Sequence, residues 1–129
     1  MKASELRFGN LIKASQDSIW HEHYKGKIVE VDIDNIKDIY FHNENNRLYE
    51  PIPLTVEWMP KLGLIKNEWV SWSLPKCQFT VSWELDSVIL YQEYHTIKVP
   101  VKFVHQLQNL YFALTEMELT LKHEKAIQK

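Results

Sequence analysis

FVHQLQNLYFALT, residues 103 to 115, dictates both its own shape and its surroundings. At 100° per residue, Val104, Leu107, Leu110, Tyr111 and Leu114 fall on one broad face and His105, Gln106, Asn109 and Ala113 lie opposite, which is the spacing of an amphipathic helix. Such a face needs a cover. The segments that precede it read as short strands, so the predicted arrangement lays this helix across an antiparallel sheet.

Working back from the helix, residues 68 to 101 read as a four-stranded antiparallel meander. Its clearest strand is Cys77 to Glu84, where Cys77, Phe79, Val81 and Trp83 alternate with Gln78, Thr80, Ser82 and Glu84, so one face is predicted to be core. Its neighbours are Glu68 to Leu74, with Pro75-Lys76 as the turn, Ser87 to Gln92 after a turn at Leu85-Asp86, and His95 to Val101. Val88 to Tyr91 is apolar on both faces and is expected to be central in the fold or covered by the N-terminal barrel. Pro100 has no N–H to give a ladder, so the last strand is expected to be an edge or to end there.

Further upstream, PIPLTVEWMPKLGL at 51 to 64 reads as a hinge. Pro51 and Pro53 hold the backbone extended, Thr55 is placed to cap a helix, and Gly63 is placed to end it. Pro60 removes a helical donor, which predicts a kinked helix or one of only one to two turns. Residues 6 to 50 then read as a small β unit of five strands: Leu11-Ile12, Ile19-Trp20, Ile28 to Ile33, Ile36 to Phe41 and Leu48-Tyr49. In GKIVEVDI, Val29, Val31 and Ile33 alternate with Glu30 and Asp32, bracketed by turns at Gly26 and Asp34-Asn35, and His42 to Asn46 reads as a hairpin tip. After Thr115, a capping box with Glu118 favours a new helical turn while Glu118 to Leu121 alternates like a strand; both readings stand. The tail KHEKAIQK reads as frayed.

The composition fits one folded domain, or two small subdomains sharing a core, with 45% hydrophobic residues, five Trp, six Tyr and five Phe. A net charge of -2 gives no global attraction to phosphate backbones or anionic lipid. The single cysteine, Cys77, has no intramolecular disulfide partner, and MKASELRFGN carries no apolar run of signal-peptide length, so a reducing cytoplasm is expected. No stretch approaches the roughly 20 apolar residues of a membrane span, and no membrane partner is expected.

Three stretches together resemble a family of small uncharacterised proteins from Bacteroidota phages, prophages and mobile elements: Leu6-Arg7-Phe8-Gly9-Asn10 (LRxGN), PIPLTVEW followed by a Leu-Gly pair, and VHQLQNLYFALT. The resemblance spans almost the whole chain and implies no established activity and no catalytic residues. Two positions depart from the family pattern: Pro60 interrupts the first helix, and Glu116 stands where a Gly commonly follows the ALT segment. The N-terminal unit, residues 1 to 50, is also similar to SH3-like small barrels, a fold with many unrelated roles. The expected fold is therefore α+β: an SH3-like β unit at 1 to 50, then, over 51 to 129, the hinge helix and an antiparallel meander covered by an amphipathic helix.

Few residue groupings suggest chemistry. His21 and His23 share one face of a strand and, with His42 or a carboxylate, would suit zinc; ordinary exposed positions explain them better, since structural zinc sites usually include cysteine. Cys77 with His95 or His105 would make a nucleophile and base, but the alternation around Cys77 turns it into the core as an inert thiol. Asp32, Asp34 and Asp38 read as a solvated loop without calcium-site spacing, and three scattered Gly make no phosphate loop. No cofactor is expected.

Two surfaces stay open. On the far side of the helix, His105, Gln108 and Asn109 cluster with Phe112, which lies outside the apolar face. Either the N-terminal unit or the hinge packs there, or it is a homodimer or partner interface with an aromatic anchor. Trp20, Tyr24, Lys25 and Lys27 form the only compact basic and aromatic cluster of the N-terminal unit and would serve a nucleic-acid-binding module. The leading expectation is a non-enzymatic accessory protein working through protein contact, using the outer helix face or the strand edge near His95 to Pro100. Nucleic-acid binding through the N-terminal barrel is the alternative.

Overall fold

In a computed structural model, which describes residues 2–15, 26–42, 49–67, 71–77, 79–84, 87–92 and 95–121, the chain begins with a 3-10 turn (Ala3–Glu5). There follow β1 (Leu11–Ala14), β2 (Ile28–Glu30), α1 (Ile33–His42), β3 (Tyr49–Glu50) and α2 (Trp58–Lys61). The second half contains β4 (Ile65–Lys66), β5 (Ser71–Ser73), β6 (Thr80–Glu84), β7 (Ser87–Gln92), β8 (His95–Pro100) and α3 (Val104–Thr115). The fold is α+β. These elements form two compact units, Met1–Pro53 with Phe103–Asn109 and Leu54–Lys102 with Leu110–Lys129, so α3 gives its first half to one and its second half to the other.

In the first unit β1 is central in a three-stranded antiparallel sheet of order β2-β1-β3, with Ile12 opposite Val29 and Ala14 opposite Tyr49. Leu6, Ile12, Val31, Ile39 and Tyr49 are buried together, with Ala3, Val29 and Ile36 packed against them. The described residues form no closed barrel, and one of the five expected strands is a helix. Ile36 to Phe41 lies in α1, and the Asp34-Asn35 turn is its first turn. The reason lies at Asp32, whose side chain accepts the Asn35 N–H (3.1 Å) while the Asn35 side chain accepts the Asp32 N–H (2.9 Å). This reciprocal cap satisfies two donors at a helix start and commits the following residues to a period of 3.6. Ile36 and Ile39 then face inward, and Ile33, expected on a buried strand face, is exposed. Gly26 forms the expected turn with φ 75. The Ile19-Trp20 strand, the greater part of the His42 to Asn46 tip and the Leu85-Asp86 turn fall outside the described residues.

The second unit holds a five-stranded antiparallel sheet of order β4-β5-β6-β7-β8. It contains the four expected strands and adds β4, a two-residue strand pairing Ile65 with Ser73. The Pro75-Lys76 turn forms, with Lys76 at φ 57. Because that turn consumes residues through Cys77, β6 starts at Thr80, and Cys77 is half-buried in a bend instead of standing on the strand's core face. β7 is flanked by β6 and β8, and β8, with Pro100 at its end, is an edge among the described strands.

The hinge helix is a single turn, as Pro60 requires. Thr55 does not cap it by its side chain; its carbonyl instead accepts the Trp58 N–H at 3.0 Å, and Glu57 occupies the cap position. The helix ends in a Schellman motif: Gly63 N–H donates to Pro60 O (3.0 Å), and Leu64 N–H to Met59 O (3.1 Å). Gly63 supplies the required φ of 91, and Leu64 and Met59 are both buried. α3 ends differently. Glu116 sits at φ 62 with its N–H on Phe112 O, and Thr115 Oγ1 donates to Tyr111 O while accepting the Met117 N–H. Residues 118 to 121 are neither helix nor strand, although Leu119 is buried.

Candidate functional site

The strand register of the second unit places residues in rows across the sheet. One row runs Trp72, Val81, Leu90, Ile97, each opposite the next on its neighbouring strand. The first three are 8, 0 and 4% exposed, and the fourth, on the β8 edge, is 59% exposed. An apolar row that is dry over three strands thus ends in a largely solvated isoleucine. The flanking Thr96 and Lys98 point to the other face and are exposed. On that face the row in register is Ser71, Ser82, Ile89 and Lys98, of which Ser82 is buried and Lys98 exposed. Beyond β8 no described strand pairs, so its outward backbone groups form a row of donors and acceptors of the kind another strand can use. Pro100 closes that row at one end because it has no N–H. The signal was present in the sequence: alternation over His95 to Val101 with Pro100 marking an edge.

The outer helix face, read either as packed by the N-terminal unit or hinge or as a partner interface, is buried at two of its residues: His105 and Gln108 are each 1% exposed, so neither is open to a partner. At Gln108 and Asn109 the LRFGN segment and its neighbours are engaged. Gln108 Oε1 accepts the Leu11 N–H (2.8 Å), and Gln108 Nε2 donates to Gly9 O (3.2 Å). Asn109 Oδ1 accepts both Arg7 Nη1 and Asn10 Nδ2, each at 2.9 Å, and Asn109 Nδ2 donates to Glu5 O (2.8 Å). Asn10 Oδ1 in turn accepts the Arg7 N–H at 2.7 Å. The LRFGN segment and the first half of α3 are thus joined by side-chain amides. In the sequence Arg7 and Asn10 stand out only as part of LRxGN, which carries no indication of a distant amide partner.

His105 Nδ1 has no hydrogen-bond partner among the described residues, and Nε2 lies 3.5 Å from Glu5 Oε1, too long for a well-formed bond. Its ring is parallel to Phe103 with centroids 6.0 Å apart. Burial lowers its pKa from the usual histidine value, and the Glu5 carboxylate opposes that shift. The imidazole is accordingly neutral at pH 7. The joint therefore holds a neutral buried base, not an ion pair, and no nucleophile is placed on it by the described contacts.

The remaining candidates divide. Phe112 is half-buried in the second unit. Lys27 is exposed, but Trp20, Tyr24 and Lys25, which would complete the basic-aromatic cluster, lie outside the described residues, as do His21 and His23. His42 is the last residue of α1. Among the described residues no group of three His, Cys, Asp or Glu is placed to hold a metal. Cys77 Sγ is 4.0 Å from Leu74 O, and Cys77 belongs to the second unit whereas His105 belongs to the first. Asp32 is a helix cap, not part of a solvated loop, and Asp38 lies near Tyr49, whose hydroxyl accepts Asn35 Nδ2 at 2.8 Å and whose pKa is raised chiefly by burial. No helix among the described residues is long and apolar enough to cross a membrane. Comparison with protein-family models, with curated proteins and with solved structures finds no match for the chain.

Proposed function

We propose that this chain is a non-enzymatic protein-interaction module, an accessory protein of a phage or mobile element, and that the free edge of β8 is where it receives its partner. The observation that supports this reading is the apolar row Trp72, Val81, Leu90, Ile97, which is buried until it reaches the edge and there leaves Ile97 more than half exposed. An added strand would extend the ladder with main-chain hydrogen bonds and place a side chain over Ile97, the mode of strand addition. The proposal includes a bacterial cytoplasm as its setting and SH3-like kinship for the N-terminal unit.

The test is capture of partners from host lysate by the tagged full chain, with the lysate split into nuclease-treated and untreated halves and Ile97→Asp run in parallel. A protein partner retained after nuclease treatment and lost with Ile97→Asp is the expected result. Material that disappears on nuclease treatment, and weakens with Lys27→Glu, would replace this reading with nucleic-acid binding.

A further inference from the structure

His105 is the second residue of α3, and both of its ring nitrogens are buried without a hydrogen-bond partner among the described residues. A neutral imidazole tolerates that setting. An imidazolium carries two N–H donors and a full charge, and has to be solvated. What stands ready is a single carboxylate oxygen, Glu5 Oε1, 3.5 Å from Nε2 on a side chain that is 41% exposed, while Nδ1 faces no acceptor. Two positive ends also oppose the cation: the amino terminus of the chain, and the start of α3, where the helix dipole is positive. The Arg7 guanidinium lies one helical turn further along, on Asn109 Oδ1, and no charge on α1 or β1 acts on the ring.

The element that carries Glu5 is weakly anchored. The 3-10 turn Ala3–Glu5 has no buried residue, and Ala3 meets the buried cluster only from its half-buried margin. Its bond to α3 is an exposed one, from Asn109 Nδ2 to Glu5 O at 2.8 Å. From Leu6 onward the chain is held differently. Leu6 belongs to the buried cluster, Gly9 N–H donates to Val31 O (2.9 Å), and Val31 N–H donates to Asn10 O (2.8 Å). A short exposed element opens at a lower free energy than the unit it belongs to unfolds.

We infer that the 3-10 turn is a proton-operated latch: uptake of a proton at His105 releases residues 2–5 from α3, with Leu6 as the hinge, while the rest of the N-terminal unit stays folded. Opening gives the imidazolium the water that the closed latch denies it. The open ring titrates at the ordinary histidine value of about 6.5, and the closed ring titrates lower because it is buried. Closure is therefore fully favoured above about pH 6.5 and weakens as pH falls below it, up to about tenfold in the opening equilibrium at one pH unit below.

The experiment measures amide hydrogen exchange on the full chain between about pH 7.5 and about pH 5.5, as protection factors so that the intrinsic pH dependence of exchange cancels. The amides of Glu5 and Leu6, bonded to Lys2 O and Ala3 O when the turn is closed, should lose protection up to about tenfold, while those of Ala14 and Val31 keep theirs. His105→Phe and His105→Gln, neither of which titrates, should each abolish the loss; the second serves where the first disturbs the packing. Glu5→Gln can still accept the Lys2 N–H but no longer favours the cation in the closed latch, so it should deepen the loss.

Protection at Glu5 and Leu6 that changes less than about twofold over this range overturns the inference. So does a loss that persists in both His105 variants, or one that Glu5→Gln abolishes. A loss shared equally by Ala14 and Val31 overturns it too, since the unit would then be unfolding as a whole.

Discussion

Replacing Gln108 by Met should unfasten the N-terminal segment from α3 without opening a large cavity. The side chain is 1% exposed and engages two main-chain groups, the Leu11 N–H at 2.8 Å and the Gly9 carbonyl at 3.2 Å. Methionine has similar length and flexibility, so the packing loss is small. What remains is the buried Leu11 N–H and the part-buried Gly9 carbonyl without their partner. An unsatisfied buried group costs about 1–3 kcal/mol, which applies to the N–H, whereas water can reach the carbonyl. The expected loss is therefore roughly 1–3 kcal/mol, a large share of the stability of a domain this size. Urea unfolding followed by far-UV circular dichroism and by tryptophan fluorescence measures it, and coincident transitions establish that one equilibrium is being read. A midpoint shift worth less than about 0.5 kcal/mol at unchanged slope would refute the reasoning, because it would mean that water replaces the amide at no cost.

Stability should fall on acidification through His105. Its pKa is lowered in the folded chain by burial, so the unfolded chain binds the extra proton first. The contribution is fully present above the unfolded value of about 6.5 and is lost as pH falls below it toward the folded value, with a slope of at most about 1.4 kcal/mol per pH unit. His105→Phe should flatten that part of the curve, and an unchanged slope would count against the burial argument. Two left-handed positions should respond with opposite signs in thermal melts. Gly63→Ala should destabilise by about 1 kcal/mol through backbone strain alone, since a Cβ there meets nothing within 4 Å, whereas Glu116→Gly should stabilise by a similar amount. Asp32→Ala removes the cap of α1 and should cost about 1 kcal/mol, with loss of helical signal; an unchanged spectrum and melt would assign the helix to packing alone.

How much of this could be read from residues depended on whether one periodicity dominated. α3 was legible because its apolar spacing admits only one period, and β7 and β8 because Pro100 and the apolar run fixed their places. α1 was misread for a physical reason. Ile-Val-Glu-Val-Asp-Ile alternates like a strand, and the switch to helix occurs inside that run, at an Asp whose partner is Asn35 instead of the more familiar Glu or Gln. The cover over His105 and Gln108 was legible only as one of two alternatives, packing by the N-terminal unit or hinge against a partner interface. Polar residues on a helix face normally meet water, and the segment that engages Gln108 and Asn109 lies some hundred positions away, with no local signal for the pairing. The edge at Ile97 was half legible: the strand and its terminal proline could be read, but which residue ends the buried row depends on register, which short strands do not declare.

Neither compact unit is continuous in sequence. Met1–Pro53 is completed by Phe103–Asn109, and Leu54–Lys102 by Leu110–Lys129, so both wait on the same helix. The buried cluster of the first unit, Leu6, Ile12, Val31, Ile39 and Tyr49, nevertheless precedes α3 entirely, so what the helix adds to it is the amide joint from Gln108 and Asn109 to residues 5 to 11. A chain interrupted before Phe103 would keep that cluster and lose the joint, and each unit would lack the stretch of α3 assigned to it.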